Sequence, residues 1–115
     1  MTDAWQSQGI VTVTSAGTPV IATANQSSTT TRCAAHSILF QQVSGNTGKI
    51  YICDRSTAVK ATGVGVLAVL SIPTTNFLPS ASATVTYSPS AFDLSNYYID
   101  ADVSNEGCLI SIIRA

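Results

Sequence analysis

No window of this chain sustains the 3.6-residue apolar period of an amphipathic helix. Its apolar residues fall instead into about eight short β-branched or aromatic runs, punctuated by Gly, Pro, Asn and Ser. Runs of that length and spacing are the pattern of an all-β sandwich or barrel. The expected strands are Ile10–Thr14, Val20–Ala24, about Arg32–Val43, Ile50–Cys53, Val64–Leu70, Ala83–Tyr87, Tyr97–Ala101 and Cys108–Ile113. Val64–Leu70 is apolar throughout, and its Leu and Ala content suits a short helix. Gly63, Gly65, three valines and the following Pro73 favour an extended run. Residues 1–8 are polar apart from Trp5 and read as an N-terminal arm, with Trp5 docking on its own chain or on a neighbour. Residues 9–115 form one domain with no internal repeat or linker. The expected fold is a single antiparallel β-sandwich, jelly-roll-like.

The stretch His36–Asp54 organises the rest. Ile38, Leu39 and Phe40 begin one apolar strand and Ile50–Cys53 forms another, with Ser44-Gly45-Asn46-Thr47-Gly48 between them. Two apolar runs around such a cluster signal a β-hairpin with a loop longer than two residues. Ile38 and Phe40 oppose Leu39, and Ile50 and Ile52 oppose Tyr51 and Cys53. Both faces are therefore apolar, which places the hairpin inside the fold rather than at an edge.

Charged residues make up only 10% of the chain against 45% hydrophobic, where ~25% charged is usual. Ser and Thr take their place. A surface of hydroxyls and backbone suits coverage by partners, because charge is depleted at interface cores. Net charge is −1, and Arg32, Lys49, Arg55, Lys60 and Arg114 are scattered. Phosphate binding needs clustered cations, so direct nucleic-acid binding is not expected. Cys33, Cys53 and Cys108 are odd in number, form no C-x-x-C pair and sit in or beside apolar strands. They read as reduced core residues, in keeping with folding in a reducing cytosol. The N-terminus lacks the basic and apolar regions of a signal peptide. The longest apolar run is too short to span a bilayer, so no membrane partner is expected.

No catalytic device assembles from these residues. His36 is the only histidine. Cys33 lies three residues away on a predicted strand, hence on the opposite face, and His36 reads as structural. One His with three dispersed Cys is a poor zinc set. Asp100 and Asp102 share a strand face, with Glu106 in the next turn. Paired carboxylates can hold calcium, but the EF-hand pattern is absent and a solvated sheet face accounts for both. Gly63-Val64-Gly65 lacks the third glycine of a dinucleotide fingerprint and has no helix beside it. No cofactor, metal or enzymatic activity is expected. Tyr97 and Tyr98 are adjacent, so one faces inward and the other is a surface aromatic that could meet a glycan or a protein.

The order of segments resembles small virion proteins from the structural modules of tailed bacteriophages. The resemblance rests on Gly17-Thr18-Pro19-Val20, then Ile38-Leu39-Phe40-Gln41-Gln42, Asn46-Thr47-Gly48-Lys49-Ile50-Tyr51-Ile52, Tyr98-Ile99-Asp100-Ala101 and Gly107 before a closing apolar strand. It covers most of the chain from Gly17 onward. Cys53 stands where the pattern often has glycine, and Phe77-Leu78-Pro79-Ser80 lacks its Pro-Gly turn. The resemblance implies a capsid decoration or cement protein without catalysis. Such a protein is made in the host cytoplasm and sits on the outside of the virion, as a homotrimer or homodimer on the major capsid protein. The contact elements expected on that reading are the residue 1–8 arm with Trp5, the Asn25–Thr31 loop with Asn25 and Gln26, and the turn residues Asn46 and Thr47. An alternative role is a host- or glycan-binding module on a tail or fibre, using Trp5, Tyr51, Tyr87, Tyr97 and Tyr98.

Overall fold

The structure, a computed structural model, describes residues 5–26, 33–72, 82–85 and 92–114. It is all-β, with two antiparallel sheets. The strands are β1 (Trp5–Val13), β2 (Val20–Ile21), β3 (Ala34–Gln42), β4 (Ile50–Cys53), β5 (Val66–Leu70), β6 (Ser82–Val85), β7 (Phe92–Asp93), β8 (Tyr98–Ala101) and β9 (Glu106–Arg114), with a 3-10 turn at Leu94–Asn96. The first sheet runs β1-β9-β3-β6, with β7 also on β3, and the second runs β2-β8-β4-β5.

The pairings are nested: β4 with β5 innermost, then β3 with β6 and β7, β2 with β8, and β1 with β9. A nested antiparallel set rolled on itself brings β9 beside β3 and β8 beside β4, as observed. That arrangement is the jelly roll. It answers the edge problem only in part, since each sheet keeps two outer strands.

The stretch expected as a hairpin is not one. β3 lies in the first sheet and β4 in the second, and residues 43–49 carry the chain from one to the other. Each strand has one strongly apolar face, Ile38 and Phe40 on β3, Ile50 and Ile52 on β4, all within 2% of full burial. A hairpin would set these side by side in one sheet. Crossing the sandwich lets them close on a common core, with Ile110, Ile112 and Ile99. The expectation that both strands are interior holds, since β3 lies between β9 and β6, and β4 between β8 and β5.

Other differences have local causes. β1 starts at Trp5, so Trp5–Gln8 is strand paired to β9 rather than arm, with a bulge between Ser7 and Gly9. Gly9 sits there at φ +78°, a conformation glycine adopts without a Cβ clash. Residues 22–26 turn away after a two-residue β2. The Val64–Leu70 run is extended, as Val66–Leu70. In β3 a bulge skips His36, so buried positions shift from Ala35 and Ser37 to Ile38, Phe40 and Gln42. The three cysteines are free and buried. Burial pushes the Cys108 thiol up to about 12 and, with Asp100 and Asp54 nearby, the Cys53 thiol up to about 11.

Gly107 lies close against the backbone of β1. A Cβ built there would lie 2.4 Å from the Val11 carbonyl oxygen, whereas one at Gly45 would meet nothing within 4 Å. Gly107→Ala is expected to destabilise the fold by about 1–3 kcal/mol through overpacking, and Gly45→Ala by less than about 0.5 kcal/mol. Urea denaturation of the two variants checks this, and equal midpoints would contradict it.

Candidate interaction surface

Asn46 and Thr47 lie in the 43–49 crossover, Asn46 half-buried and Thr47 exposed, and both hydrogen-bond back onto the chain. Asn46 Nδ2 donates to Gln42 Oε1 at 2.6 Å and to the Gly107 carbonyl at 2.7 Å. The Thr47 hydroxyl and N–H both reach Glu106 Oε2, at 2.8 and 2.7 Å, and the Gly48 N–H reaches Oε1 at 3.0 Å. Gln42, on the buried face of β3, is the centre of this corner. Its amide donates to the carbonyls of Gly48 and Ser71, both at 3.1 Å, while its oxygen accepts from Asn46 and from the Val43 N–H at 3.2 Å. Gln42 is not among the residues expected at this surface. A glutamine following Ile38 and Phe40 on the inward-facing phase was the available signal, and the bulge at His36 does not disturb it.

The same end of the sandwich is tied across its other loops. Ala16 N–H donates to Ser104 Oγ at 3.0 Å, and Gly17 N–H to Asp100 Oδ1 at 2.9 Å. Asp100 is 1% exposed, which corrects its expected place on a solvated face. Asp102 is exposed and accepts from the Tyr51 hydroxyl at 3.0 Å. Glu106 serves the crossover instead, and among the described residues no three metal-binding side chains gather.

Asn25 and Gln26 brace the edge strand. Asn25 Nδ2 donates to the carbonyls of Ile10 and Gln8, at 2.8 and 3.1 Å, on either side of the bulge. Gln26 donates to the Gln8 side chain at 2.5 Å. Residues 27–31 of that expected contact loop, and residues 1–4 of the arm, lie outside the described residues. So does Tyr87. Tyr97 is the inward member of its pair, tilted against Phe40 at 5.8 Å, and burial pushes its hydroxyl pKa up. Tyr98 opens β8, half-buried, opposite Cys53 and Ile21. His36 is half-buried at the β3 bulge.

The outer face of the first sheet forms a continuous surface across β1, β9, β3 and β6. Register places Ile10 beside Leu109 and Gln41, Ser7 beside Ser111 and Leu39, and Trp5 beside Ile113. Thr84 of β6 continues the row from Leu39. None of these positions carries a formal charge. Trp5 and Ile10 stand 50% and 47% exposed at the β1 edge. The second sheet differs, since its outer face carries Lys60 against Asp102 at 3.5 Å and over the Tyr51 ring. A charge-free face with a tryptophan at its margin matches the make-up of interface cores and their anchor residues.

Two predictions follow from the corner. Gln42→Leu strands the carbonyls of Gly48 and Ser71 and is expected to cost at least about 2 kcal/mol in urea unfolding. Burial raises the Glu106 pKa, but the Thr47 N–H, Thr47 hydroxyl and Gly48 N–H outweigh it and hold the carboxyl below the ordinary glutamate range. A carboxyl depressed on folding stabilises fully above its unfolded value of about 4.3, and that stabilisation is lost as pH falls through the folded value. The urea midpoint is therefore expected to drop on acidification from about pH 5 to about pH 3. In Glu106→Gln the midpoint is lower at neutral pH and the acid slope shallower. The residual slope comes from groups such as Asp54, held low by its hydrogen bond from Arg55. An unchanged slope would contradict the assignment.

Comparison with known protein families, with curated proteins and with solved structures yields no match for this chain.

Proposed function

We propose that this protein is a capsid decoration protein of a tailed bacteriophage, docking on the major capsid protein through the outer face of its first sheet. The observation that carries the reading is the charge-free face from Thr84 across Leu39, Ser111 and Leu109 to Ile10 and Trp5. The order of segments from Gly17 to the closing strand resembles such proteins. A jelly roll is also an architecture that viral capsid proteins use, although fold alone does not assign function. Among the described residues the structure offers a braced scaffold and an uncharged surface of apolar and hydroxyl side chains. A protein that clamps repeated subunits needs those two things.

Asn46, Thr47, Asn25 and Gln26 contribute on this reading by holding the scaffold, because their hydrogen bonds are spent within the chain. Contact passes to Trp5 and its neighbours on the sheet. The glycan-binding alternative needs aromatics gathered beside polar groups. Here Trp5 lies on the β1 edge, Tyr51 is bonded to Asp102 on the other sheet, and Tyr97 packs on Phe40.

Co-sedimentation with purified phage capsids tests the proposal. Ser111→Glu places a charge at the centre of the face and is expected to weaken binding at least about tenfold, as is Trp5→Ala, the size of loss typical of an interface anchor. Far-UV circular dichroism confirms that each variant folds. Undiminished binding by both variants, or binding to a glycan array with none to capsids, would overturn it. Point substitution is the cleaner test, since deleting residues 1–8 would also remove the first half of β1.

A further inference from the structure

Eight large hydrophobic side chains stand well exposed among the described residues, and five of them fall in one stretch: Val59, Val64, Leu67, Val69 and Ile72. Val59 and Val64 pair in an isolated bridge that leads into β5. Leu67 and Val69, 56% and 48% exposed, follow on β5 itself. Lys60 is the only charged residue from Val59 to Ile72. Its charge is engaged within the chain, with Nζ donating to the Ala101 carbonyl at 2.6 Å, 3.5 Å from Asp102 and over the Tyr51 ring.

β5 is the outer strand of the second sheet, and its only strand partner among the described residues is β4. Two of the other edges are blunted. β1 is bulged and its carbonyls at Gln8 and Ile10 are occupied by Asn25, while β2 is two residues long. β5 has neither charge nor proline. Its one irregularity, the extra residue Leu67 opposite the Ile52–Cys53 step, presents a leucine to solvent. An uncharged apolar edge of this kind is a template for another strand.

We propose that the β5 edge is a homodimer interface, in which a second copy adds its own β5 antiparallel and joins the two four-stranded sheets into one. All five residues of Val66-Leu67-Ala68-Val69-Leu70 are aliphatic. Antiparallel pairing with itself therefore sets aliphatic against aliphatic along its length. A two-fold contact of this type closes after two copies, which consumes both edges and stops further addition. Five half-exposed side chains offer a few hundred Å² of apolar surface, about half of the ~800 Å² that each partner of a stable complex contributes. The dimer is therefore reversible and concentration-dependent. This inference is independent of the capsid reading and is tested without capsids.

Sedimentation equilibrium of the purified protein across a thousandfold concentration range is expected to show the mass rising from 11.9 kDa toward twice that value. L67K/V69K and L67E/V69E, changed only at exposed positions, are each expected to remain monomeric with unchanged far-UV circular dichroism. An equal mixture of the two is expected to recover a dimer, because opposite charges meet across the shared edge. The single Leu67→Lys serves if a double variant does not fold, with an expected loss of at least tenfold in dimer affinity. A wild type that stays monomeric throughout, a Lys variant that dimerises like wild type, or a mixture that stays monomeric would each overturn the proposal. A monomeric wild type whose capsid binding is lost in L67K/V69K would assign the patch to the capsid instead, and also overturn it.

Discussion

The fold depends on one buried amide. Gln42 ends β3 inside the core, 2% exposed, at the point where the chain must leave one sheet and enter the other. A polar side chain buried there is costly unless every donor and acceptor is used. Here the donors take Gly48 and Ser71, and the oxygen takes Asn46 and Val43. The group that pins the crossover therefore also holds the chain leaving β5. Glu106 completes the arrangement from the start of β9, so three parts of the chain distant in sequence converge on one corner.

That corner explains why the sandwich is a jelly roll rather than a stack of hairpins. With β3 and β4 in separate sheets, β5 pairs back on β4 and β6 returns to β3. The central strands β9 and β8 fill the remaining positions, and their inward residues, Ile110, Ile112 and Ile99, are fully buried. Each such side chain contributes about 1.5–3 kcal/mol of burial. The bulges at Ser7–Gly9 and at His36 re-aim the strands without interrupting that core.

Among the described residues two surfaces remain uncommitted by this scaffold, and they differ in kind. The outer face of the first sheet is uncharged and mixes apolar with hydroxyl side chains, suited to being laid against a large partner. The β5 edge is narrow, aliphatic and backbone-rich, suited to another strand. They belong to different sheets, so occupation of one leaves the other available. A protein that doubles through one and docks through the other gains avidity on a repetitive surface, because the second contact forms at high effective concentration.

The alternation of short β-branched runs with turn residues determined the all-β class, and most strands sit where those runs predict, Ile50–Cys53 to the residue. Burial of Ile38, Phe40, Ile50 and Ile52, and of the three cysteines, was equally legible, because apolar periodicity reports which face is inward. Legibility ended at pairing. The Ser44–Gly48 cluster is compatible with a hairpin and with a crossover, since turn residues encode a change of direction and not the sheet that receives the next strand. Asp100 looked like a surface carboxylate because one of its two N–H donors, that of Gly17, lies 83 residues away, and Glu106 looked like a spare one because its partners are about 59 residues away. Sequence alone thus settled which residues seek the core. Tertiary structure decided which strands share a sheet, because that choice rests on contacts between segments far apart in the chain.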